Sequence, residues 1–397
     1  MTFNRELADE VLEDRDRDAA RFFAGRDDEI HRFDTAVREA GRSRQAVFRI
    51  YQGAPGCGKT SLAEHLKEIR SERMLFVGIN PNHLKSADAL MEQVHRGAIE
   101  EGSSTGKAAS KIAEIVGSRL RMKSTAKDFR DYIAQRSVKD AGVVLHLDEA
   151  HSVGTTEGDE LRNLHTTGLG LPGVLLLTGL GHTLERLTAI EGLSRLSRNA
   201  VVNMGAMAKD ECAESTRKML DKLGVVGDAT EKENAAQMVA ALSYGWPQHL
   251  NCAQVALGGE LRRTNGVLHD VNADRVAQAS DQLRYDYYVD RLAHPVFSLD
   301  PSVTKRIIVD VDRRPIQTIP QLNDLCNEQV AQAGLADDPF FLEIPPGGFA
   351  RTLVEKGIVT ITPQRGCEVA IPSMADWAAN ELDTEPPSAR RPHGGAP

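Results

Sequence analysis

A glycine-rich segment near the start of the chain has residue types and spacing suited to binding phosphate. Gly53-Ala54-Pro55-Gly56-Cys57-Gly58-Lys59-Thr60-Ser61 fits G-x-x-x-x-G-K-[ST], the Walker A loop, between an apolar strand pattern and a helical pattern. Glycines let backbone N–H groups point at phosphate oxygens, and the following helix N-terminus favours anions. The segment is therefore predicted to bind ATP, with Lys59 bridging the β- and γ-phosphates and Thr60 ligating Mg²⁺. We interpret Cys57 as an inert small side chain rather than a redox control.

A second motif is an apolar strand that ends in two acids. Val143–Leu147 precedes Asp148 and Glu149, the Walker B arrangement. Asp148 is predicted to hold the Mg²⁺ shell, and Glu149 to polarise the attacking water as the catalytic base. Together the two motifs predict hydrolysis of ATP to ADP and phosphate. The neighbouring His146 and His151 are interpreted as packing or solvent-facing residues, because two histidines alone make no metal site.

The segments that must position these residues alternate between short apolar runs and longer amphipathic stretches. This alternation is typical of a parallel sheet whose strands are joined by crossover helices, so the first half of the chain predicts an α/β fold. The five predicted strands are Val47–Gln52, Met74–Asn80, Val143–Asp148, Val174–Thr178 and Ala200–Met204.

The second half of the chain has a different pattern. It reads first as helices with stops at Gly224, Gly227 and Gly245, and then as helices followed by two short strands, Ile358–Thr362 and Glu368–Ile371. Three helices followed by a hairpin is the order of a winged helix. We therefore expect a nucleotide-binding core over residues 1–207, a helical lid over 208–294, a winged-helix domain over 295–380 and a disordered tail over 381–397.

Composition limits the classes of function. The chain has 48 Lys+Arg against 57 Asp+Glu, a net charge of -9, which argues against coating nucleic acid by bulk charge. Its five cysteines include no C-x-x-C pair, so neither a zinc ribbon nor a disulfide framework is expected. A charged start and the lack of a long apolar run favour a soluble, cytoplasmic protein without a membrane segment.

With these motifs the chain resembles the AAA+ ATPases, and within them the origin-recognition and replication-initiation group and the transposition-regulator ATPases of the MuB and TnsC type. The resemblance implies a P-loop core with a five-stranded parallel sheet, a helical lid and a C-terminal winged helix. Phe23–Glu29 looks like the F-x-G-R-x-x-E box, which would bring Arg26 near the adenine, and Val174–Gly179 looks like the sensor 1 strand, which would bring Thr178 near the γ-phosphate.

The resemblance also implies an arginine finger and shows one departure. Leu193–Arg198 looks like the segment that supplies a guanidinium to the neighbouring subunit's nucleotide, with Arg198 preferred over Arg195. Alternatively, both arginines are solvent-exposed or salt-bridged helix residues. At the lid position where the family usually has arginine, this chain has Gln248, a neutral amide that cannot neutralise phosphate charge.

One segment is basic enough to contact nucleic acid. Ser103–Lys139 contains nine basic and three acidic residues, which could track phosphates of duplex DNA or pair with an acidic surface of the next subunit. Arg351 on the presumed recognition helix and Arg365 at the wing tip are the other candidates, although the net charge of Gln282–Asp376 is negative. The candidates within the insert are Lys107, Lys111, Arg119, Arg121, Lys123, Lys127 and Arg130.

Three hypotheses about function remain open from the residues. The leading one is an ATP-hydrolysing switch that forms a homo-oligomer, as a ring or a helical filament, on duplex DNA and recruits or controls a partner protein. The second is an ATPase of a signalling or anti-phage defence system that gates a partner nuclease or protease. The third is a nucleotide-binding scaffold that hydrolyses ATP very slowly.

Overall fold

The computed structural model describes residues 3–13, 22–43, 46–70, 74–85, 89–90, 93, 96, 142–167, 173–298, 300–345, 347–362 and 366–384. The chain divides into two compact units. The core unit comprises residues 16–53 and 57–219, and the C-terminal unit comprises residues 1–15, 54–56 and 220–397. The boundary near residue 220 falls inside one helix, Lys209–Leu223.

The chain begins with α1 (Arg5–Glu13), which packs on the helix Pro247–Arg263 in the C-terminal unit. The amide of Asn4 donates to the carbonyl oxygen of Leu223 (2.8 Å), and Ala8 of α1 is fully buried. This differs from the expectation that residues 1–207 form one core. The physical reason is the apolar side of this short helix, which is buried against the helices that follow residue 220.

A five-stranded parallel sheet forms the centre of the core unit, as the sequence predicts. The spatial order is β2-β3-β4-β1-β5, so β4 lies between β1 and β3. The loop after β1 and the acids after β3 therefore flank the end of β4. The strands are β1 (Ala46–Gln52), β2 (Met74–Ile79), β3 (Gly142–Leu147), β4 (Gly173–Gly179) and β5 (Val201–Asn203).

The strands are held by apolar packing. All seven residues of β4 are buried, as expected for a central strand of a parallel sheet. Leu145 and Leu177 share a core with Leu161, Leu164 and Leu187 of the following helices. Before β5, the helices of the core unit in the described ranges are α2 (Asp27–Ser43), α3 (Lys59–Arg70), α4 (Thr155–Thr167) and α5 (Thr183–Thr188), with 3₁₀ turns at Pro81–Lys85, Ala150–Ser152, Glu191–Leu193 and Arg198–Ala200.

Four longer helices follow β5, and their ends have recognisable signals. Gly224 (φ 65°) and Gly245 (φ 73°) follow helix ends in the left-handed conformation, where the sequence predicts stops. Asp228 begins a helix with a capping box, because its side chain accepts from the amide of Glu231 and the Glu231 side chain accepts in return. The helices are α6 (Lys209–Leu223), α7 (Ala229–Leu242), α8 (Pro247–Arg263) and α9 (Ala273–Arg291), with a 3₁₀ turn at Leu268–Asp270.

The last part of the chain contains further helices and an antiparallel hairpin. Both predicted short strands are present, with Val359 opposite Val369. The final helix extends to Thr384, so the expectation of a disordered tail from residue 381 is wrong for residues 381–384. The elements are α10 (Pro295–Ser298), α11 (Pro301–Arg313), α12 (Ile319–Gln332), α13 (Pro339–Leu342), α14 (Gly348–Glu355), β6 (Val359–Thr362), β7 (Gly366–Val369) and α15 (Met374–Thr384).

Candidate functional site

The phosphate-binding loop begins where β1 ends and closes at the first residue of α3. The amide of Gly53 donates to the carbonyl oxygen of Gly179 at the end of β4 (3.1 Å), which fixes the start of the loop to the sheet. Gly56 and Gly58 have φ values of 77° and 88°, in the region that favours glycine. Glycine therefore suits the backbone at both positions, although the motif itself specifies only Gly58 of the two.

Lys59 and Thr60 begin α3 and have different environments. The Lys59 side chain is buried, and its Nζ donates to the carbonyl oxygen of Gly53 (3.0 Å) and lies 3.7 Å from the Cys57 sulfur. Thr60 is exposed, and its hydroxyl donates to Oδ2 of Asp148 (3.2 Å). The ammonium therefore lies within the loop, while the threonine hydroxyl meets the predicted Walker B acid.

Arg26, which the resemblance assigns to the adenine side, contacts the loop backbone. Its guanidinium donates to the carbonyl oxygens of Cys57 (3.1 Å) and Gly205 (2.6 Å) and forms an ion pair with Glu29 (3.0 Å). The side chain is only 6% exposed. These bonds satisfy a buried charge and connect the phosphate-binding loop to the segment after β5, so Arg26 supports the loop from within the core unit.

Asp148 accepts hydrogen bonds on both carboxylate oxygens. Oδ1 accepts from the Thr178 hydroxyl (2.6 Å) and the Glu149 amide (2.9 Å), and Oδ2 accepts from the Thr60 hydroxyl. Burial alone would raise the pKa of Asp148, but the bond from Thr178, the nearby His146 and the other donors together hold it below the ordinary value. Asp148 is therefore a carboxylate at neutral pH.

His146 belongs to this group, although its sequence context predicts only a packing or solvent-facing role. Its Nε2 lies 3.0 Å from the hydroxyl of Thr178, which is completely buried. Burial lowers the pKa of His146 below its ordinary value, which favours the neutral ring. The signal that could have found this residue is a polar side chain in an otherwise apolar strand, two residues before the acid.

Glu149 has a different environment from its neighbour. Its backbone is left-handed (φ 54°) and its side chain is 67% exposed, with Oε2 lying 3.2 Å from Nε2 of His151. The carboxylates of Asp148 and Glu149 therefore have different surroundings: Asp148 accepts from Thr178, the Glu149 amide and Thr60, and the Glu149 side chain is mostly exposed. An exposed carboxylate beside the loop has the access to water that the predicted catalytic base needs.

The donor set fits Mg²⁺. The Thr60 hydroxyl oxygen and Asp148 Oδ2 are hard oxygen donors 3.2 Å apart at the carboxyl end of the sheet. Mg²⁺ in nucleotide sites typically takes one or two protein oxygens together with phosphate oxygens and water. Among the described residues, no group of three or more His, Cys, Asp or Glu side chains forms another metal site.

The two finger candidates lie just before β5 and are exposed. Arg198 begins a 3₁₀ turn whose conformation is fixed at Asn199: the Asn199 amide donates to Ser197 Oγ (3.1 Å), and its carbonyl accepts from Arg49 (2.9 Å). Within the part of the chain that the structure describes, neither Arg195 nor Arg198 forms an ion pair. If these arginines are not fingers, the alternatives are exposure to solvent or a salt bridge, and within the described residues only exposure to solvent is observed.

Gln248 lies in the C-terminal unit together with three residues of the phosphate-binding loop, Ala54–Gly56. The amide of Gln248 donates to the carbonyl oxygen of Gly56 (3.1 Å), and the hydroxyl of Tyr287 donates to that of Pro55 (3.1 Å). Gln248 thus contacts the loop through its backbone amide. This contact does not depend on the side chain, so it is present although glutamine replaces the arginine usual in the family.

The remaining candidates are dispersed or lie outside the described residues. Arg351 is exposed on α14. All five cysteines are buried and none forms a disulfide. No helix in the described ranges is long and apolar enough to cross a membrane. The candidates that lie outside the described residues are Lys107, Lys111, Arg119, Arg121, Lys123, Lys127, Arg130 and Arg365.

A phosphate-binding loop, a buried carboxylate and an exposed second acid at the carboxyl ends of a five-stranded parallel sheet define a P-loop nucleotide hydrolase. Residues 23–177 match the family described as "AAA ATPase domain". Residues 23–177 are accordingly similar to an ATP-hydrolysing AAA ATPase domain.

Two solved structures illustrate the likeness of fold. The Walker-type ATPase PABY2304 of Pyrococcus abyssi has a TM-score of 0.56 at 14% identity, with 90% of this chain and 96% of that chain covered. The ORC2 protein of Aeropyrum pernix, in ADPNP and ADP complexes, has a TM-score of 0.52 at 11% identity, with 95% and 98% covered. At such identities the likeness extends to the fold alone. No match was found among curated proteins.

Proposed function

We propose that this ATPase is a nucleotide-driven switch that assembles with copies of itself on duplex DNA and recruits or controls a partner protein. The observation that carries the assembly is the pair Arg195 and Arg198, which are exposed beside β5 and form no ion pair within the described residues. A second subunit's nucleotide would provide the anion that such a guanidinium lacks.

The proposed mechanism assigns a task to each side chain. Backbone amides of Gly53–Ser61 and the Lys59 ammonium bind the phosphates of ATP, and Thr60 and Asp148 hold Mg²⁺. When bound, Mg²⁺ compensates the charge that develops on the phosphoryl group. Glu149 accepts a proton from the attacking water, and its exposed carboxylate leaves room for that water.

In the assembled state Arg198 of the neighbouring copy stabilises the negative charge on the transferred phosphoryl group, an effect worth about 10³- to 10⁵-fold in rate in NTPases that have been measured. The fixed turn at Asn199 supports this assignment, because a held backbone limits the orientations from which the guanidinium extends. Once hydrolysis has cleaved off the γ-phosphate, Arg198 would lose the phosphoryl group that it contacts on the neighbouring copy. Assembly would therefore depend on which nucleotide is bound.

The DNA part of the proposal rests on charge. The basic segment Ser103–Lys139 supplies the phosphate contacts, and residues 295–380 form a winged helix in which Arg351 is exposed. The similarity of fold to a protein named ORC2 supports the same assignment. Residues 208–294 serve as the helical lid of the ATPase.

The test is a mass measurement of the Glu149→Gln variant with ATP, with and without duplex DNA. Glu149→Gln retains ATP, so oligomers should accumulate with ATP and grow further when DNA is added at low salt. Glu149→Gln combined with Arg198→Ala is the matched control and should stay monomeric. Equal masses with and without DNA would contradict the DNA part, and a monomer under all conditions would contradict the assembly.

A second candidate function is an ATPase of a signalling or defence system that gates a partner nuclease or protease. The observation that favours it is apolar exposure in the C-terminal unit, where Leu342 is 68% and Ile319 is 48% exposed. A protein partner would cover such side chains, whereas DNA would not. Purification at native expression level discriminates the two: a stable protein partner without nucleic acid supports this second function.

A further inference from the structure

A chain of three hydrogen-bonded side chains joins two neighbouring strands to the phosphate-binding loop. His146 Nε2 lies 3.0 Å from the Thr178 hydroxyl, which donates to Asp148 Oδ1 (2.6 Å). His146 lies on β3 and Thr178 on β4, and these strands pair in parallel with Leu147 opposite Leu177. The register therefore brings Thr178 level with Asp148, directly after the last pair.

The direction of these bonds follows from the number of hydrogens. Asp148 is a carboxylate and only accepts, so the single hydrogen of the Thr178 hydroxyl is used in the bond to Oδ1. The Thr178 oxygen must then accept from His146. The ring of His146 therefore carries its hydrogen on Nε2, and the chain runs from that N–H through Thr178 to the carboxylate.

These bonds determine which oxygen of Asp148 meets the loop. Oδ1 is occupied by two donors, the Thr178 hydroxyl and the Glu149 amide, and Oδ2 is thereby turned to the Thr60 hydroxyl. Without a donor at position 146, the Thr178 hydroxyl would have no fixed acceptor role and could rotate away from the carboxylate. Asp148 would lose the donor that orients it most directly.

A purely structural reason for His146 is weak, because the strand is otherwise apolar. The other five residues of β3, Gly142–Leu145 and Leu147, are buried and nonpolar, and His146 interrupts them two residues before the acid. Placing an imidazole there costs desolvation that an apolar residue would avoid. The bond to the Thr178 hydroxyl offsets that cost, and among the described residues the only other side-chain partner of this hydroxyl is Asp148.

We propose that His146 is a positioning residue for ATP hydrolysis, which acts through Thr178 to fix the Asp148 carboxylate with Oδ2 facing Thr60. The proposal rests on the assignment of Asp148 and Thr60 as the Mg²⁺-binding pair. It also gives the buried hydroxyl of Thr178 the task of supporting the carboxylate.

The first experiment measures metal affinity in the full chain. Mn²⁺ binding to the ADP complex is followed by electron paramagnetic resonance for the wild type, His146→Phe and His146→Gln. Phe keeps a ring but removes the donor, and should weaken Mn²⁺ binding about 10-fold, as loss of an outer-shell partner typically does. Gln carries an amide donor near the position of Nε2 and should recover most of the affinity.

A control separates positioning from general loss of packing. His165 is a second histidine of the core unit, and its Nδ1 lies 2.6 Å from the Ala46 carbonyl oxygen, outside the site. His165→Phe should leave the Mn²⁺ affinity unchanged. Equal affinities of wild type and His146→Phe would overturn the proposal, as would equal losses in His146→Phe, His146→Gln and His165→Phe.

The second experiment needs neither metal nor activity. Nitrogen-15 NMR of the histidine rings should show a hydrogen on Nε2 of His146, and Thr178→Val should shift that resonance by removing the acceptor. A hydrogen on Nδ1 instead would overturn the proposal. If His146→Phe does not fold, Thr178→Val and Thr178→Ser take its place: only Val should lower the Mn²⁺ affinity.

Asp148→Asn distinguishes failure of this inference from failure of the proposed site. If Asp148→Asn leaves Mn²⁺ binding unchanged, the assignment of Asp148 as a ligand is wrong and the inference falls with it. If Asp148→Asn weakens binding but His146→Phe and Thr178→Val do not, only the positioning role is wrong.

Discussion

Two histidines, one in each unit, begin similar chains of hydrogen bonds that end on different chemical groups. In the core unit His146 meets the Thr178 hydroxyl, which donates to the Asp148 carboxylate. In the C-terminal unit Nε2 of His249 lies 3.1 Å from the hydroxyl of Tyr288, which lies 2.7 Å from the hydroxyl of Ser373. In both, burial lowers the pKa of the histidine.

The difference lies in the last group of each chain. Asp148 is charged and turns one oxygen to Thr60 of the phosphate-binding loop, so under the proposed function the geometry of the core chain bears on ATP hydrolysis. Ser373 is neutral and precedes α15, so the second chain joins α8 and α9 to the last helix and bears on stability. A hydrogen-bonded histidine therefore does not by itself indicate a functional site. The last group in its series of hydrogen bonds is the more informative feature.

The strongest test of this comparison removes the two terminal groups. Asp148→Asn should lower kcat by at least about 100-fold, because losing a ligand exceeds the typical effect of losing an outer-shell partner. Ser373→Ala should leave kcat unchanged and lower the free energy of unfolding by about 1 kcal/mol. Phosphate release and urea unfolding measure the two effects. A large loss of kcat in Ser373→Ala would remove the distinction between the chains.

The middle group of the C-terminal chain gives the next largest effect. The Tyr288 hydroxyl meets His249, Ser373 and the carbonyl oxygen of Pro372 (3.3 Å). Tyr288→Phe leaves the buried His249 and the partly buried Ser373 and Pro372 without their shared partner and should cost about 1–3 kcal/mol of unfolding free energy, with kcat retained.

Tyr285→Phe is the matched control for Tyr288→Phe, since this ring is 38% exposed and its hydroxyl forms no hydrogen bond to the described residues. Its unfolding free energy, measured by urea denaturation, should equal that of the wild type. Similar losses in the two variants would mean that ring packing, and not the hydroxyl chain, stabilises this region.

The low pKa of His249 predicts how the stability of the protein depends on pH. Burial, with a smaller contribution from the charge of Arg284, lowers the pKa of His249 to about 3. In the unfolded chain its pKa is about 6.5. The unfolded state therefore binds a proton that the folded state refuses, and stability falls as pH decreases from about 6.5 towards 3, by about 1 kcal/mol between pH 6.5 and 5.5.

His249→Gln should remove that part of the pH dependence when urea unfolding is compared at pH 6.5 and 5.5. His269→Gln, at a site 84% exposed, should retain it. An unchanged pH dependence in His249→Gln would show that this histidine takes up a proton in the folded state.

The sequence predicts those parts of the fold that local spacing determines. The strands of the sheet are recognisable because each is a short apolar run, and Gly224 directly follows a helix end because glycine adopts positive φ at low cost. The phosphate-binding loop is likewise a continuous segment whose residue types state its chemistry.

Contacts between distant segments were not predictable in the same way. Arg26 reaches the carbonyl oxygens of Cys57 and Gly205, and no spacing in the sequence indicates that these three residues meet. His146 and Thr178 meet because of the pairing of β3 with β4, which depends on the strand order. The position of α1 in the chain predicts that it belongs to the core, although its apolar side is buried in the C-terminal unit.

The smallest expected effect concerns a polar link of the C-terminal unit that involves no histidine. Lys305 on α11 and Glu381 on α15 form an ion pair at 3.5 Å, with side chains 11% and 27% exposed. Glu381→Gln should cost less than about 1 kcal/mol, because partly exposed pairs lose much of their attraction to water and salt. Asp383→Asn, an exposed acid on the same helix, is the control and should have no effect. If Glu381→Gln destabilised the protein as much as Tyr288→Phe, charge rather than the hydroxyl chain would hold α15 in place.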